Sequence, residues 1–159
     1  MWVMLLLIMQ FKHFFADYLL QGQYMMGKFK SGLGFVLPLL THVSVHGIFT
    51  FSISWIVSNN VLFALILAIF DMTVHFIMDR IKASPNLLGR FKALSYNEMM
   101  AIQQMPVESE QRELALRNNR MFWIGLGLDQ SVHHVTDIII VYELVNWTRY
   151  WIEVAKVII

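Results

Sequence analysis

The sequence predicts an all-α fold: an antiparallel four-helix transmembrane bundle with a polar cytoplasmic connection and a C-terminal interfacial helix. Hydrophobic residues make up 57% of the 159-residue chain and charged residues only 14%, whereas a soluble domain has about 45–50% and about 25% respectively. The apolar residues fall into four runs, each close to the roughly 20 residues that cross a bilayer as a helix. Within these runs, histidine and aspartate recur at the four-residue spacing of one helix face.

The predicted spans are the four apolar runs, at residues 2–21, 35–57, 61–81 and 121–145. A chain of this length fits one integral-membrane domain, residues 1–159. The Ser58-Asn59-Asn60 sequence predicts a tight turn, so that the second and third spans form an antiparallel hairpin.

The segments outside the spans differ in composition. Residues 82–120 are polar and carry most of the charge, and Ser95 with Glu98 fits a capping box that begins a short helix. Residues 146–159 mix Trp, Tyr, Arg, Glu and Lys, which is typical of a helix that lies at the membrane interface.

Lysine and arginine predict the orientation. They cluster in and beside the first and third connections, and the second connection has none. The positive-inside rule therefore predicts a multi-pass protein of the cytoplasmic (inner) membrane with both termini outside. Lys12, Arg80 and Lys82 are interpreted as anchors whose ammonium or guanidinium groups reach the interface.

Each span carries ionisable residues on one face, although such groups cost roughly 2.5–3.5 kcal/mol in hydrocarbon and are normally buried against partners. At 1.5 Å per residue, these residues lie within roughly 3–18 Å of the same, cytoplasmic, ends of the helices. They therefore predict one site. The candidate ligands are His13, Asp17, His42, His46, His75, Asp79, Asp129 and His133.

The third and fourth spans also predict specific pairs. Because these spans run antiparallel, His75 is expected to face His133 and Asp79 to face Asp129. Asp71 and Asp137 would face each other deeper in the bundle and are weaker candidates as ligands.

Neutral imidazole and carboxylate together favour a divalent transition metal such as zinc, manganese or iron. Bundles hold one or two such ions between facing helices. Asp17 or Asp129 is predicted to accept the proton of a metal-bound water. Gln21, Thr50, Gln130 and His134 are predicted to surround the ligands. The chain has no cysteine, which excludes thiolate sites.

Three other interpretations stay open. A bis-histidine haem would use two of the histidines but leaves the regularly spaced aspartates unexplained. A chain of histidine and aspartate also suits a proton or cation path through the membrane. A purely structural role needs only hydrogen bonds between the helices.

Four segments, one in each span, match a family pattern: His13-Phe-Phe-Ala-Asp17-Tyr-Leu-Leu-Gln21, His42 to Gly47, His75-Phe-Ile-Met-Asp79-Arg-Ile-Lys82, and Asp129-Gln130-Ser-Val-His133. In these segments the chain resembles the small bacterial and phage integral-membrane proteins of domain-of-unknown-function family 3307. Asp71 and Asp137 are not part of that pattern, which lowers their standing as ligands. The pattern is also similar to that of membrane-bound metal-dependent hydrolases, and this similarity is an analogy only.

The leading hypothesis is a metal-dependent hydrolase of a lipid or lipid-linked substrate at the cytoplasmic headgroup level. The second hypothesis is a non-catalytic metal-binding protein or an ion or proton transporter, for which a homo-oligomer is left open. The third is a structural membrane protein. The predicted partners are the lipid bilayer and such a substrate. Nucleic acid is not expected, because the net charge is only +1.

Overall fold

The computed structural model describes residues 2–158, and this part of the chain is all-α without any strand. The elements in chain order are α1 (Trp2–Phe14), a π-helical turn (Phe15–Leu19), a 3₁₀ turn (Met25–Phe29), α2 (Val36–Ser58), α3 (Val61–Ala83), a 3₁₀ turn (Leu88–Arg90), α4 (Tyr96–Gln103) and α5 (Glu110–Ile158). The predicted fold class is confirmed at this level.

Three helical segments are long and apolar enough to cross a membrane, namely Trp2–Leu19, Val36–Ser58 and Val61–Arg90. They correspond to the first three predicted spans. The fourth predicted span, residues 121–145, is not among them. The physical reason is its own polar content, since Asp129, Gln130, His133, His134 and Asp137 all lie within it.

A two-residue connection joins α2 to α3 as predicted. Asn59 adopts the left-handed conformation, with φ at 51°, and its N–H donates to the Trp55 carbonyl over 2.9 Å. Asn60 then begins α3, because its Oδ1 accepts a hydrogen bond from the Phe63 N–H at 2.8 Å. The two helices form the most extensive helix contact in the molecule. They approach closely at Gly47, where a Cβ atom would lie 2.5 Å from Met72 Sδ.

The prediction of a separate C-terminal interfacial helix is wrong. One helix, α5, continues from Glu110 to Ile158 without a break near Asn146. Neither glycine nor proline occurs after Gly127 in this helix, so nothing in the sequence interrupts it. At 1.5 Å per residue a helix of this length measures about 74 Å, which exceeds the thickness of a bilayer.

The interior has an apolar end and a polar end. A cluster of buried apolar side chains lies close to the α2–α3 turn, and it consists of Leu5, Met9, Leu67, Ile140, Val141, Leu144 and Val145. Trp147 of α5 stacks on Phe63 at 4.4 Å at the same end. Farther along the same helices the interior is polar, while outward-facing side chains such as Leu62 and Ile66 are more than half exposed. An apolar exterior around a polar interior suits a lipid environment.

Candidate metal centre

The structure brings the eight predicted ligands into one cluster between α1, α2, α3 and α5. α1 and its π-helical turn supply one histidine and one aspartate, and each of the other three helices supplies two residues four positions apart. Seven of the eight are buried, and the Asp17 side chain is 11% exposed. We call this set the metal cluster: His13, Asp17, His42, His46, His75, Asp79, Asp129 and His133.

The ligand atoms of the metal cluster form three neighbouring groups, two of which share a residue. In each group, one atom from each of three residues lies within 4.8 Å of the others. The first triad is Asp17, His42 and His46, and the second triad is Asp79, Asp129 and His133. A third group of His13, His46 and His75 connects them, since it shares His46 with the first triad. The His75 ring also stacks on His133 with centroids 4.0 Å apart, as the sequence predicts.

Many of these atoms lack a hydrogen bond among the described residues. Both ring nitrogens of His13, His42 and His133 lack a hydrogen bond, although the Nε2 of each ring lies 3.2, 3.0 and 3.2 Å, respectively, from an aspartate oxygen. The atoms are close together but are not aligned as donor and acceptor. A buried polar group without a partner costs about 1–3 kcal/mol. Atoms that converge without bonding one another are expected where they share a central cation.

His75 shows how one ring is oriented. Its Nδ1 lies 3.0 Å from the Asp71 backbone carbonyl and 3.1 Å from Asp71 Oδ1, while its Nε2 has no hydrogen bond in the described structure. Metal-binding histidines commonly donate one ring N–H to a carbonyl or carboxylate and bind the ion with the other nitrogen. The contacts with Asp71 therefore leave Nε2 as the nitrogen of His75 that is free to bind a ligand.

The interpretation of Lys12 as an interface anchor is wrong. Lys12 is 3% exposed, and its ammonium lies 3.0 Å from both Asp71 Oδ2 and Asp137 Oδ1. It also donates to Thr50 Oγ1 at 3.2 Å, and the Thr50 hydroxyl donates to Asp71. We call Lys12, Thr50, Asp71 and Asp137 the deep cluster. The sequence contains a feature that could have predicted the deep cluster. Two facing buried aspartates are stabilised by a cation between them, and Lys12 is the only lysine or arginine in the first run.

Two further lysines contact the metal cluster on its other side. Lys82, also interpreted as an anchor, instead places Nζ 2.6 Å from Asp129 Oδ2 and 3.3 Å from Asp79 Oδ1. Lys28 is buried, with Nζ 3.6 Å from Asp79 Oδ2. Burial lowers the pKa of the Lys28 ammonium below its ordinary value, and the Asp79 carboxylate opposes this shift. Sequence reasoning did not place Lys28 in the site, because it lies in a connection rather than in a span.

A comparison with known protein families identifies the family of this chain. Residues 3–158 match the model of a family described as protein of unknown function (DUF3307). The chain belongs to this family. The resemblance carried by the four segments is thereby confirmed, whereas the similarity to membrane-bound hydrolases stays a hypothesis. No curated protein and no solved structure matches the chain.

In this member of DUF3307, α1 and α3 carry the same short motif. His13-Phe-Phe-Ala-Asp17 and His75-Phe-Ile-Met-Asp79 both read His-Phe-x-x-Asp. Each aspartate belongs to one triad, and each histidine belongs to the group that connects the triads. The repeated motif thus contributes one aspartate to each triad, but the triads differ in composition, since the first contains two histidines and the second contains two aspartates.

The four residues predicted to surround the ligands occupy different places. Gln130 Nε2 donates to Asp129 Oδ2 at 3.0 Å, so it contacts a candidate ligand directly. Gln21 Oε1 accepts a hydrogen bond from Lys28 Nζ at 2.9 Å, and Lys28 in turn contacts the candidate ligand Asp79. Thr50 belongs to the deep cluster. His134 is exposed, with its ring centroid 5.8 Å from that of His13.

A cavity of about 370 Å³ opens beside the metal cluster. Asp17 lines it directly, together with the side chains of Gln21, Lys28, Lys82 and Gln130. Apolar side chains from α5 and from the segment after α3 complete its walls. The cavity gives a molecule of moderate size access to the candidate ligands.

Proposed function

We propose that this protein is an integral membrane enzyme that holds one or two divalent transition-metal ions in the metal cluster, with zinc, manganese or iron as candidates. The proposed reaction is hydrolysis of a lipid or a lipid-linked substrate near the cytoplasmic face. The observation that carries this proposal is the convergence of eight histidine and aspartate side chains whose ligand atoms lie close together and largely without hydrogen bonds.

The proposed architecture is an antiparallel four-helix transmembrane bundle, formed as one domain by α1, α2, α3 and residues 121–145 of α5. Contacts between α2 and α3 support it: His42 meets Asp79, His46 meets His75, and the Thr50 hydroxyl meets Asp71. Residue numbers rise along one helix as they fall along the other. The apolar outward faces described above support a lipid environment.

The proposed orientation places the metal cluster toward the cytoplasm and both termini outside. The cavity end of the bundle carries Lys28 and Lys82 and is followed by the basic residues of the connection between α3 and α5. The opposite end, at the Ser58–Asn60 turn, has no basic residue in the turn itself. This asymmetry is the one that the positive-inside rule describes.

Charge and distance support a metal ion. The interior holds five aspartates and three lysines, so with neutral imidazoles it carries a net charge of −2, which one divalent ion would cancel. Two ligand atoms bound to one ion at about 2.0–2.2 Å are at most about 4.4 Å apart, and the ligand atoms of each triad lie within 4.8 Å of one another. Histidine with carboxylate is the ligand set that zinc, manganese and iron accept.

A divalent ion held by the metal cluster would supply one thing to the reaction, a lowered pKa of a nearby water. Asp17 would accept the proton of that water, because it is the carboxylate of the cluster that lines the cavity, whereas Asp129 Oδ2 is held by Lys82 and Gln130. The deprotonated water oxygen would attack the phosphorus or carbonyl carbon of an ester. The bond to the leaving oxygen breaks, and the proton passes from Asp17 to that oxygen.

Metal analysis of the purified protein is the first test. We expect one or two equivalents of a transition metal, with a lower content in His75→Ala and His133→Ala. Less than about 0.1 equivalent in the native protein, unchanged in both variants, would overturn the metal proposal, because a site of this kind binds metal with high affinity.

Hydrolysis is tested on the metal-loaded protein with a generic phosphoester. Asp17→Asn is expected to lose about 10²–10⁴-fold in rate, the usual contribution of a positioned base, and the rate is expressed per equivalent of bound metal because Asp17 also belongs to the first triad. Glu153→Gln, which changes an exposed carboxylate near the C-terminus, serves as the matched control. An Asp17→Asn variant as active as the control would contradict the assignment of the base.

A transporter is the second candidate, because the deep cluster continues the polar interior beyond the metal cluster. Lys12 counts against it, since its ammonium occupies that continuation and is held by two aspartates. Metal-dependent ion flux in liposomes that carry the purified protein would favour this candidate over the hydrolase.

A further inference from the structure

The cavity beside the metal cluster has two kinds of wall. One side is polar and includes Asp17 with the ammonium groups of Lys28 and Lys82. The other side is apolar and is formed by Leu88, Phe91, Phe122 and Leu126, among others. A cavity of about 370 Å³ with this division is suited to a molecule that has a charged group at one end and an apolar body.

In the structure, both lysines contact aspartates of the metal cluster. Lys82 contacts both Asp79 and Asp129, and Lys28 contacts Asp79. These two carboxylates are also the aspartate members of the second triad. A metal ion bound there would take over their negative charge, and the ammonium groups would then be available to another anion.

We infer that this cavity binds the phosphate group of an amphiphile between Lys28 and Lys82, and that it does so strongly only after the metal has bound. This inference rests on the proposed function and names its substrate class, a phosphate-bearing lipid or lipid-linked molecule. The apolar walls hold the body of the molecule, and Asp17 lies beside its phosphate.

Charge explains the required order. The inward-facing groups Asp17, Asp79, Asp129, Lys28 and Lys82 carry a net charge of −1, which repels an anion. The third lysine of the cavity wall, Lys92, is exposed, so solvent screens its charge. One divalent ion makes the net charge +1, and two ions make it +3. Inside a protein such a change alters the electrostatic interaction with a phosphate far more than it would in water. Metal and phosphate should therefore bind cooperatively.

Two glycines of α5 offer a steric test of the cavity. Gly125 is buried and lines the cavity, and a Cβ atom at this position would lie 3.4 Å from Leu88 Cδ1. Gly127 is exposed and has open space around it, although it is only two residues away on the same helix. Gly125→Leu should fill the cavity, whereas Gly127→Leu should leave it unchanged.

The experiment measures binding of dodecylphosphonate to the full-length protein in a non-ionic detergent by calorimetry. The carbon–phosphorus bond of this probe resists hydrolysis. Protein loaded with Zn²⁺ is compared with protein treated with EDTA, and dodecanol and inorganic phosphate are tested separately. We expect Zn²⁺ to tighten dodecylphosphonate binding by about tenfold or more, with dodecanol and inorganic phosphate both binding at least about tenfold more weakly.

Variants identify the residues responsible. Lys28→Gln and Lys82→Gln are each expected to weaken binding of the phosphonate by about tenfold, the usual scale of a charged hydrogen bond. Lys30→Gln is the matched control, since Lys30 is exposed and does not line the cavity. Gly125→Leu should abolish binding and Gly127→Leu should not.

The outcomes separate this inference from the proposed function. If Zn²⁺ binds but dodecylphosphonate binds no better than dodecanol, or binds equally to the EDTA-treated protein, the inference is overturned and the metal centre stands. If inorganic phosphate binds as tightly as the phosphonate, the cavity is a site for free phosphate. The inference that it binds an amphiphile would then also be overturned. Failure of Zn²⁺ itself to bind would contradict the metal centre.

Discussion

The deep cluster and the metal cluster bury similar groups but satisfy them differently. In the deep cluster, Lys12 contacts Asp71 and Asp137 at 3.0 Å each, so the negative charge is met by a cation that belongs to the chain. In the metal cluster, both ring nitrogens of His42 and of His133 are without a hydrogen bond in the described structure. The first cluster has a lysine between its two aspartates, although Asp71 Oδ1 and Asp137 Oδ2 are without a hydrogen bond in the described structure. The second cluster also has lysines on its aspartates, and in addition it has histidine nitrogens to spare.

The difference illustrates two ways to keep carboxylates in the interior of a helical protein. A covalently attached ammonium makes a cluster permanent, because it cannot dissociate. A cluster that relies on an external cation can exchange it, and it can leave a coordination position open for substrate. The two clusters lie on the same helices, and Asp71 belongs to the first while it orients His75 of the second. The stability of the protein should therefore depend on Lys12 whether or not metal is bound. Metal should affect stability only through the second cluster.

The largest effect is expected from Lys12→Met. This variant leaves two buried carboxylates without their cation, and the removal of one partner from a buried ion pair typically costs about 3–5 kcal/mol. Thermal unfolding in detergent should show this loss of stability. Lys156→Met, at an exposed lysine of α5, is expected to unfold like the native protein.

A triple variant distinguishes charge from packing in the deep cluster. Lys12→Met combined with Asp71→Asn and Asp137→Asn removes both signs of charge, which is far less costly than removal of one. It should recover most of the lost stability and should still bind metal. A triple variant no more stable than Lys12→Met alone would show that the ion pairs are not what the deep cluster contributes.

Removal of metal should have the second-largest effect, and only through the metal cluster. At a free metal concentration of about 100 times Kd, binding adds about 2.7 kcal/mol of stability, which a chelator abolishes. We therefore expect EDTA to lower the melting temperature of the native protein and to lower that of His133→Ala less, because this variant has lost a ligand of the second triad while the first triad is intact. His134→Ala is the matched control, because its ring is exposed on the next position of the same helix. It should respond to EDTA like the native protein.

Much of the fold could be predicted because local signals mark the helix ends. The predicted spans at 35–57 and 61–81 differ by at most two residues from α2 and α3, since Asn59 and Asn60 end one helix and begin the next. The capping box of Ser95 and Glu98 is confirmed for the same reason. The tail was misjudged because a change of composition after Asn146 indicates a change of surroundings, and it does not end a helix.

The histidines and aspartates of the site could be predicted from the sequence, but its lysines could not. Spacing along a helix showed which residues share a face, and the length of each span showed their depth. The partners of Lys12 and Lys28, however, depend on how α1 and the connection after it are rotated against the other helices. One sequence contains no direct measure of that rotation. The sequence alone is therefore also consistent with Lys12 as an interface anchor, which the structure contradicts.

The smallest effect is expected from Thr50→Val, which tests whether the deep cluster needs its neutral member. The hydroxyl accepts from Lys12 and donates to Asp71, and valine has nearly the same shape without these bonds. Loss of hydrogen bonds to charged groups should cost about 1.5 kcal/mol.

Thr73→Val is the matched control for this substitution. Thr73 is exposed on α3, and its hydroxyl donates only to the Ile69 carbonyl. We expect its melting temperature to stay near that of the native protein. Metal content should be the same in both variants, because neither threonine hydroxyl is hydrogen-bonded to a member of the metal cluster in the described structure. Metal lost from Thr50→Val alone would mean that the deep cluster positions the ligands as well as balancing its own charge, and the two clusters would then be a single unit.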